Sequence, residues 1–204
     1  TASGRQFPIT INYVASDPEG PLSIAIASAV ARGLDAHAGD VLAFLPGMSD
    51  ILRAQILVAE RHPDVAVLPL HSDLALDAQQ AALDPDPRGR RKVVLATSIA
   101  ETSLTIEGIG VVVDSGYARV PRFDSRTGLT RLETVRITRD SADQRAGRAG
   151  RLGPGACLRL WSAETQARLI PVRRPEILEA DLAPLRLELA QWGARAASDI
   201  RWVT

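Results

Sequence analysis

Lysine is almost missing from this sequence: Lys92 is the only one, and every other basic side chain is arginine. A Walker-type phosphate loop needs Gly-x-x-x-x-Gly-Lys-Ser/Thr. Lys92 follows Arg91 and belongs to no such loop, so the chain lacks that cradle. Gly-x-Gly-x-x-Gly is absent too, which leaves a dinucleotide site without support. No Asp-Glu pair occurs, so there is no metal-binding Asp-Glu-x-His. His37, His62 and His71 lie far apart, without zinc-ligand spacing, and no metal site is assigned. One cysteine, Cys157, rules out an internal disulfide and suits a reducing cytosol. Aromatics make up only 4%, so the core must be aliphatic and alanine-rich. No apolar run is long enough for a membrane span. A signal-peptide pattern is lacking, and with Thr1 in place of a start methionine the chain reads as an excised fragment.

What is present is an α/β alternation. Phe7–Val14 alternates in part and reads as a strand. Leu22–Leu34 carries Leu22, Ile26, Ala29, Val30 and Leu34 at helical spacing. Short apolar runs at Val41–Leu45, Val65–Leu70, Lys92–Thr97, Ile109–Asp114 and Ala156–Trp161 suit buried strands. Between them, a helix capped by Ser49 or Asp50 runs to Glu60, and another is expected over Asp73–Leu83. Strands that are apolar throughout, separated by helices, predict a parallel sheet covered on both faces. Ala118–Phe123 and Leu129–Ile137, joined by a loop ending in Gly128, predict an inserted β-hairpin at about 117–137. Ser141 begins a helix with a Ser-x-x-Gln capping pattern. After Arg173-Arg174-Pro175 the pattern changes, and a helix over Pro184–Trp192 is expected to begin a further domain. The first domain is therefore taken as 1–175 and the second, truncated one as 176–204.

Net charge is zero, but between Ser115 and Arg151 nine arginines face four acids. Within that stretch stands the octet Gln144-Arg145-Ala146-Gly147-Arg148-Ala149-Gly150-Arg151. Arginines every third residue fall near one face of a helix. The glycines clear room for another surface to approach, and grouped guanidinium forks suit phosphate oxygens. Three such arginines alone would equally suit a solvated face.

The octet resembles motif VI of the DEAH/RHA-type RNA helicases. Ala96–Ile106 is similar to their motif V, Val41–Gly47 to motif IV and Leu68–Leu74 to the segment called IVa. Arg122–Gly128 is similar to the hairpin between motifs V and VI. The order and spacing also agree over about residues 5–195. The wording Arg151-Leu-Gly-Pro-Gly and the tail Leu182-Ala-Pro-Leu-x-Leu-Glu-Leu point to the bacterial HrpB-like subgroup.

The resemblance implies a second RecA-like domain, which closes with a first over one ATP, or another nucleoside triphosphate, with Mg2+. The missing first domain would hold most of both. Arg148 and Arg151 would then be arginine fingers, Gln144 would help position the attacking water, and Arg145 would pair with a nearby carboxylate. Thr105 and Glu107 would face the nucleotide, and Leu83 would offer apolar contact to its base. Thr97, Ser98 and Thr102 would touch the backbone of single-stranded RNA, joined by Gly47, His71 and Ser72; DNA is not excluded. Capping of a following helix is the alternative for Ser98 and Thr102, and a surface histidine for His71. Relatives often carry asparagine at Ser98, aspartate at Glu107 and an aromatic near Leu83. The hairpin reads as a wedge, as a lever against further C-terminal domains, or as a plain edge extension. The implied partners are the other domains of the same full-length chain, in a bacterial cytoplasm. The alternative functions are a binding module and a translocase that does not separate strands. The 204-residue chain alone is expected not to hydrolyse ATP.

Overall fold

The computed structural model describes residues 7–101, 104–124, 126–173, 175, 177, 180–194 and 196–200. In chain order the first elements are β1 (Ile9–Tyr13), α1 (Leu22–Ala36), β2 (Asp40–Phe44), α2 (Met48–Arg61) and β3 (Ala66–Leu70). Next come α3 (Leu76–Leu83), β4 (Lys92–Ala96), a single 3-10 turn at Ser98–Ala100 and β5 (Ile109–Asp114). The hairpin strands β6 (Tyr117–Asp124) and β7 (Leu129–Arg136) follow, then α4 (Arg139–Ala146), β8 (Gly155–Arg159), α5 (Ala163–Arg168) and α6 (Ala183–Gln191).

Six strands form one parallel sheet in the order β1-β8-β5-β2-β4-β3. Its central strands are apolar throughout because both faces are covered. Alternate residues feed two layers. Val41, Ala43, Val93, Leu95, Val111 and Val113 pack with Ile26 and Val30 of α1 and with Ile51, Ala54 and Val58 of α2. Leu42, Phe44, Val94, Ala96, Val112 and Cys157 turn to the other face and meet Ala82 of α3, Ile106, Ala146 and Ala149. Each large aliphatic side chain so enclosed contributes about 1.5–3 kcal/mol.

The helix starts differ from the expectation. Gly47, not Ser49 or Asp50, is the N-cap of α2, with no side-chain cap. Helix α3 begins at Leu76, three residues later than expected. Thr138 is the N-cap of α4, which puts Ser141 inside the helix, so the Ser141–Gln144 capping box does not form. The reason lies in a distant segment: the amides of Arg139 and Asp140 donate to the carbonyls of Ile170 (2.9 Å) and Pro171 (3.2 Å). Backbone thus supplies the acceptors that a capping side chain would otherwise provide. The unexpected α5 has an ordinary cap, with Ser162 Oγ accepting from the Thr165 amide at 3.2 Å.

Glycine matters at two places. Gly116 has φ of +78°, and a Cβ there would lie 2.7 Å from the ring of Trp161. A Cβ on Gly150 would lie 2.8 Å from Phe7 O and from Ile9 Cγ1. The surface that approaches Gly150 is therefore β1 of the same domain rather than a partner.

By contacts the chain forms two compact units. One is 1–119 with 134–172 and holds the six-stranded sheet; the other is 120–133 with 173–204 and holds the hairpin tip and α6. In the second unit, Pro121, Phe123, Thr130, Arg173, Ala180, Asp181 and Pro184 line a cavity of about 350 Å³.

Two chemically distinctive side chains are wholly interior. Lys92 Nζ donates to the carbonyls of Ala82 (3.3 Å), Leu83 (3.4 Å) and Asp84 (2.5 Å). It lies 3.9 Å from Asp40 Oδ2. The ammonium therefore closes the C-terminal end of α3, where its charge is stabilised by the negative end of the helix dipole. Cys157 is enclosed in β8, and burial, with the nearby Asp114 carboxylate, pushes its thiol up to about 12. The thiolate is the reactive form. An aromatic disulfide reagent at pH 8 is accordingly expected to leave Cys157 untouched in the folded chain and to react with it only on unfolding. Peptide mass spectrometry along a urea series reads this out.

Candidate functional site

The octet is organised by Arg145, which is completely buried. Its Nη1 donates to Asp114 Oδ1 at 2.8 Å, and its Nε donates to Glu101 Oε1 at 2.8 Å. Nη1 also reaches Tyr117 O at 3.2 Å, and the guanidinium lies 4.8 Å from the ring centre of Phe44. Burial works against the charge, but Asp114 and Glu101 outweigh it and hold the guanidinium above its ordinary pKa. Asp114 ends β5 and is fully buried; its Oδ1 also accepts the Gly116 amide at 2.9 Å. One cation thereby ties α4, the end of β5 and the segment after β4 together.

Helix α4 ends at Ala146, so Arg148 and Arg151 do not share a helical face with Arg145. They still converge on one segment. Arg148, 6% exposed, donates from Nη1 to Leu104 O at 2.6 Å and from Nη2 to Glu101 O. Burial, together with the neighbouring charge of Arg151, lowers its pKa, and Glu101 opposes the shift. Arg151 is exposed and donates from Nη1 to Thr105 Oγ1 at 3.2 Å. Each guanidinium has more N–H donors than these bonds use. Gln144 is exposed and makes no side-chain hydrogen bond among the described residues.

The remaining candidates separate by strand direction. Gly47 follows β2, His71 and Ser72 follow β3, and Thr97 and Ser98 follow β4. These three strands are sheet neighbours, in register at Phe44, Ala96 and Leu70, so the five residues gather at one carboxyl edge. There the Thr97 amide donates to Leu70 O at 3.1 Å, and the Leu45 amide to Ala96 O at 2.8 Å. Neither the Thr97 nor the Ser98 hydroxyl has a hydrogen-bond partner among the described residues, and Thr97 makes no side-chain cap. Ser72 is exposed, with its hydroxyl on Asp73 Oδ1 at 3.2 Å. His71 is buried rather than on the surface, and its Nδ1 has no partner. Thr102 lies outside the described residues.

Glu107, by contrast, stands just before β5, and Leu83 ends α3, which descends from the carboxyl edge. Thr105 precedes Glu107 in the same stretch. Leu83 and Leu104 pack against the same layer of the core. The nucleotide candidates thus lie along this face toward the amino edge, not at the strand carboxyl ends. The segment from Thr97 to Glu107 connects the two groups. Asp114 and Glu101 were not among the residues expected from sequence. A lone acid closing a buried strand, ahead of an arginine-rich stretch, was the available signal.

Residues 25–153 match the helicase conserved C-terminal domain. The chain belongs to that family. It is 47% identical over 203 residues to the Escherichia coli ATP-dependent RNA helicase HrpB, covering 99% of this chain and 25% of that protein. It is 37% identical over 201 residues to the Schizosaccharomyces pombe pre-mRNA-splicing factor ATP-dependent RNA helicase prp22, covering 95% of this chain and 17% of that one. The crystal structure of the E. coli DEAH/RHA helicase HrpB matches with a TM-score of 0.90 at 48% identity, covering 98% of this chain and 26% of that one. A second HrpB crystal structure, described as a DExH-box NTPase, gives 0.87 at 48% identity over 98% of this chain and 25% of that one. The chain thus spans about a quarter, or less, of the relatives it matches. As a helicase C-terminal domain it has the expected RecA-like α/β sheet with an added hairpin.

Removing Arg145 strands Asp114 as an uncompensated interior charge. Breaking a buried pair this way costs about 3–5 kcal/mol. Arg145→Ala is expected to lower the urea midpoint of the domain accordingly. Arg145→Lys should recover part of that loss, because a lysine can pair with one carboxylate but cannot fork to both.

Proposed function

We propose that this chain works as the second RecA-like domain of an ATP-dependent RNA helicase. In this reading residues 1–175 form that domain and 176–204 begin a further one. The other domains of the full-length protein, in a bacterial cytoplasm, are its partners. Among the described residues no helix is long and apolar enough to cross a membrane.

The observation that carries the reading is the convergence of Arg148 and Arg151 on Glu101, Leu104 and Thr105. Both arginines sit on a turn anchored by the buried Arg145. Each keeps N–H donors for an anion presented from outside. This fits a triphosphate held mainly by another domain, with Mg2+ on that domain's carboxylates. Among the described residues no three His, Cys, Asp or Glu side chains are grouped to hold a metal ion. A divalent metal held on that other domain would supply positive charge to offset that of the phosphate oxygens.

This chain's own part is electrostatic. Charge grows on the transferred phosphoryl oxygens, and Arg151, with Arg148 behind it, meets that charge with fixed guanidinium groups. A group supplied in this way is worth roughly 10³–10⁵ in rate. Gln144 stands exposed on the preceding helix to orient water. Thr105 and Glu107 flank the nucleotide, and Leu83 gives its base an apolar contact. Thr97, Ser98, Gly47, His71 and Ser72 at the carboxyl edge, together with Thr102, hold the backbone of single-stranded RNA. Hydroxyl and amide contacts to phosphate fix position without reading bases, so little sequence preference is expected. Movement along the strand follows when closure over ATP shifts these contacts.

A second reading has one observation in its favour: both bonds made by Arg148 go to backbone carbonyls of the same domain, those of Leu104 and Glu101, as a purely structural arginine would place them. Arg148→Ala in the full-length protein separates the two. The finger role predicts an ATPase loss of 10³ or more at saturating RNA. A rate within about twofold of wild type would sink it. Residues 1–204 alone are expected to show no ATP turnover in a phosphate-release assay. Turnover there would mean that the chain holds a complete nucleotide site.

A further inference from the structure

At the carboxyl edge there is a cation that the motif comparison does not assign. Arg119 lies in β6, three residues after Gly116, and its side chain runs across the backbone of Gly47. A Cβ built on Gly47 would lie 2.9 Å from its Cδ, 3.4 Å from Nη1 and 3.7 Å from Nε. The approach to Arg119 is held firmly. Ser115 N donates to Phe44 O at 3.2 Å, Gly116 N to Asp114 Oδ1 at 2.9 Å, and Tyr117 N to Ser115 Oγ at 3.3 Å. Tyr117 O accepts from the buried Arg145 at 3.2 Å.

The guanidinium itself is unclaimed. From Ser115 onward in the sheet-bearing unit, Arg136 is paired with Asp17 and Arg139 donates to Ala167 O. Arg145, Arg148 and Arg151 are engaged as described above. Arg159 is paired with Asp143. Among the described residues Arg119 has neither a carboxylate nor a hydrogen-bond acceptor; Arg168 in α5 shares that state, but only Arg119 is laid against Gly47. It is solvent-exposed all the same. β5 adjoins β2, and β2 adjoins β4, so Arg119 joins the edge that presents Gly47 and the free hydroxyls of Thr97 and Ser98. An exposed, unpaired guanidinium on a rigid strand, beside a glycine that leaves room for it, is well suited to a phosphodiester oxygen.

We propose that Arg119 is a further nucleic-acid contact, binding one backbone phosphate of the single strand that crosses the carboxyl edge. This rests on the RNA-binding reading of that edge. It adds a cation to a set of contacts otherwise made by hydroxyl, imidazole and amide groups, and Arg119 is the contact there that displaces a counterion. Gly47 then serves a second purpose, because any side chain at that position would push Arg119 off the track.

The test is binding of a fluorescein-labelled oligouridine to the full-length protein by anisotropy, across a salt series. Arg119→Ala is expected to weaken binding several-fold and to flatten the plot of log affinity against log salt by roughly 0.7, the share of one phosphate on a single strand. Arg119→Lys should restore the slope, and Gly47→Ala should reproduce part of the loss. The KM for ATP without RNA should stay as in wild type for Arg119→Ala. An unchanged slope and affinity in Arg119→Ala overturns the proposal. So does a lowered unfolding midpoint with the salt slope intact, which marks a structural role. If the wild-type protein shows no salt-dependent RNA binding at all, the functional reading itself fails and this proposal falls with it.

Discussion

The ion pair that Arg145 makes with Asp114 and Glu101 fixes the rest of the site. A guanidinium with no solvent exposure persists only where carboxylates and carbonyls surround it. Here those groups come from three separate pieces of chain: the end of β5, the segment after β4 and the start of the hairpin. The position of α4 is thereby set against the sheet. The turn after it carries Arg148 and Arg151 onto Glu101, Leu104 and Thr105. The same carboxylate of Asp114 also takes the Gly116 amide and so aims the strand that bears Arg119. One interior charge cluster therefore positions residues on both sides of the candidate site.

The two sides lie at different heights on the sheet. Parallel strands have all their carboxyl ends at one edge, and the residues assigned to nucleic acid follow three neighbouring ends. The arginines assigned to phosphoryl transfer stand on the turn between α4 and β8, which leads back to the amino edge. The segment from Thr97 to Glu107 is the covalent link between them. A shift in the bonds of Arg148 to this segment changes the constraint on Thr97 and Ser98 without any change in the sheet. That is a physical route by which events at the nucleotide and at the strand can be coupled.

Much of the architecture was legible in the sequence because strands buried on both faces must be apolar throughout. Val93, Val94, Leu95 and Ala96 in β4, and Val111, Val112 and Val113 in β5, leave no other element plausible. Helix starts were less legible. Ser141 and Gln144 have the spacing of a capping box, but the carbonyls of Ile170 and Pro171, far along the chain, satisfy the amides of α4 instead. The octet was legible as a unit, and the separate fates of its arginines were not. Periodicity puts Arg145, Arg148 and Arg151 on one face, whereas the helix ends at Ala146 and leaves one arginine interior, one tucked onto a loop and one in solvent. His71 was expected at the surface and is enclosed. Arg119 carried no signal in the sequence, because a lone arginine in a hairpin strand is unremarkable until Gly47 is seen beneath it.

The interior position of Lys92 has an effect on the outer surface. With the one ammonium group withdrawn to close α3, every cation that the side chains of this domain show to solvent, apart from any protonated histidine, is a guanidinium. Such groups keep their proton at any pH a cell reaches, so alkaline conditions do not discharge this face. Amine-directed acylation cannot erase its charge without first opening the fold.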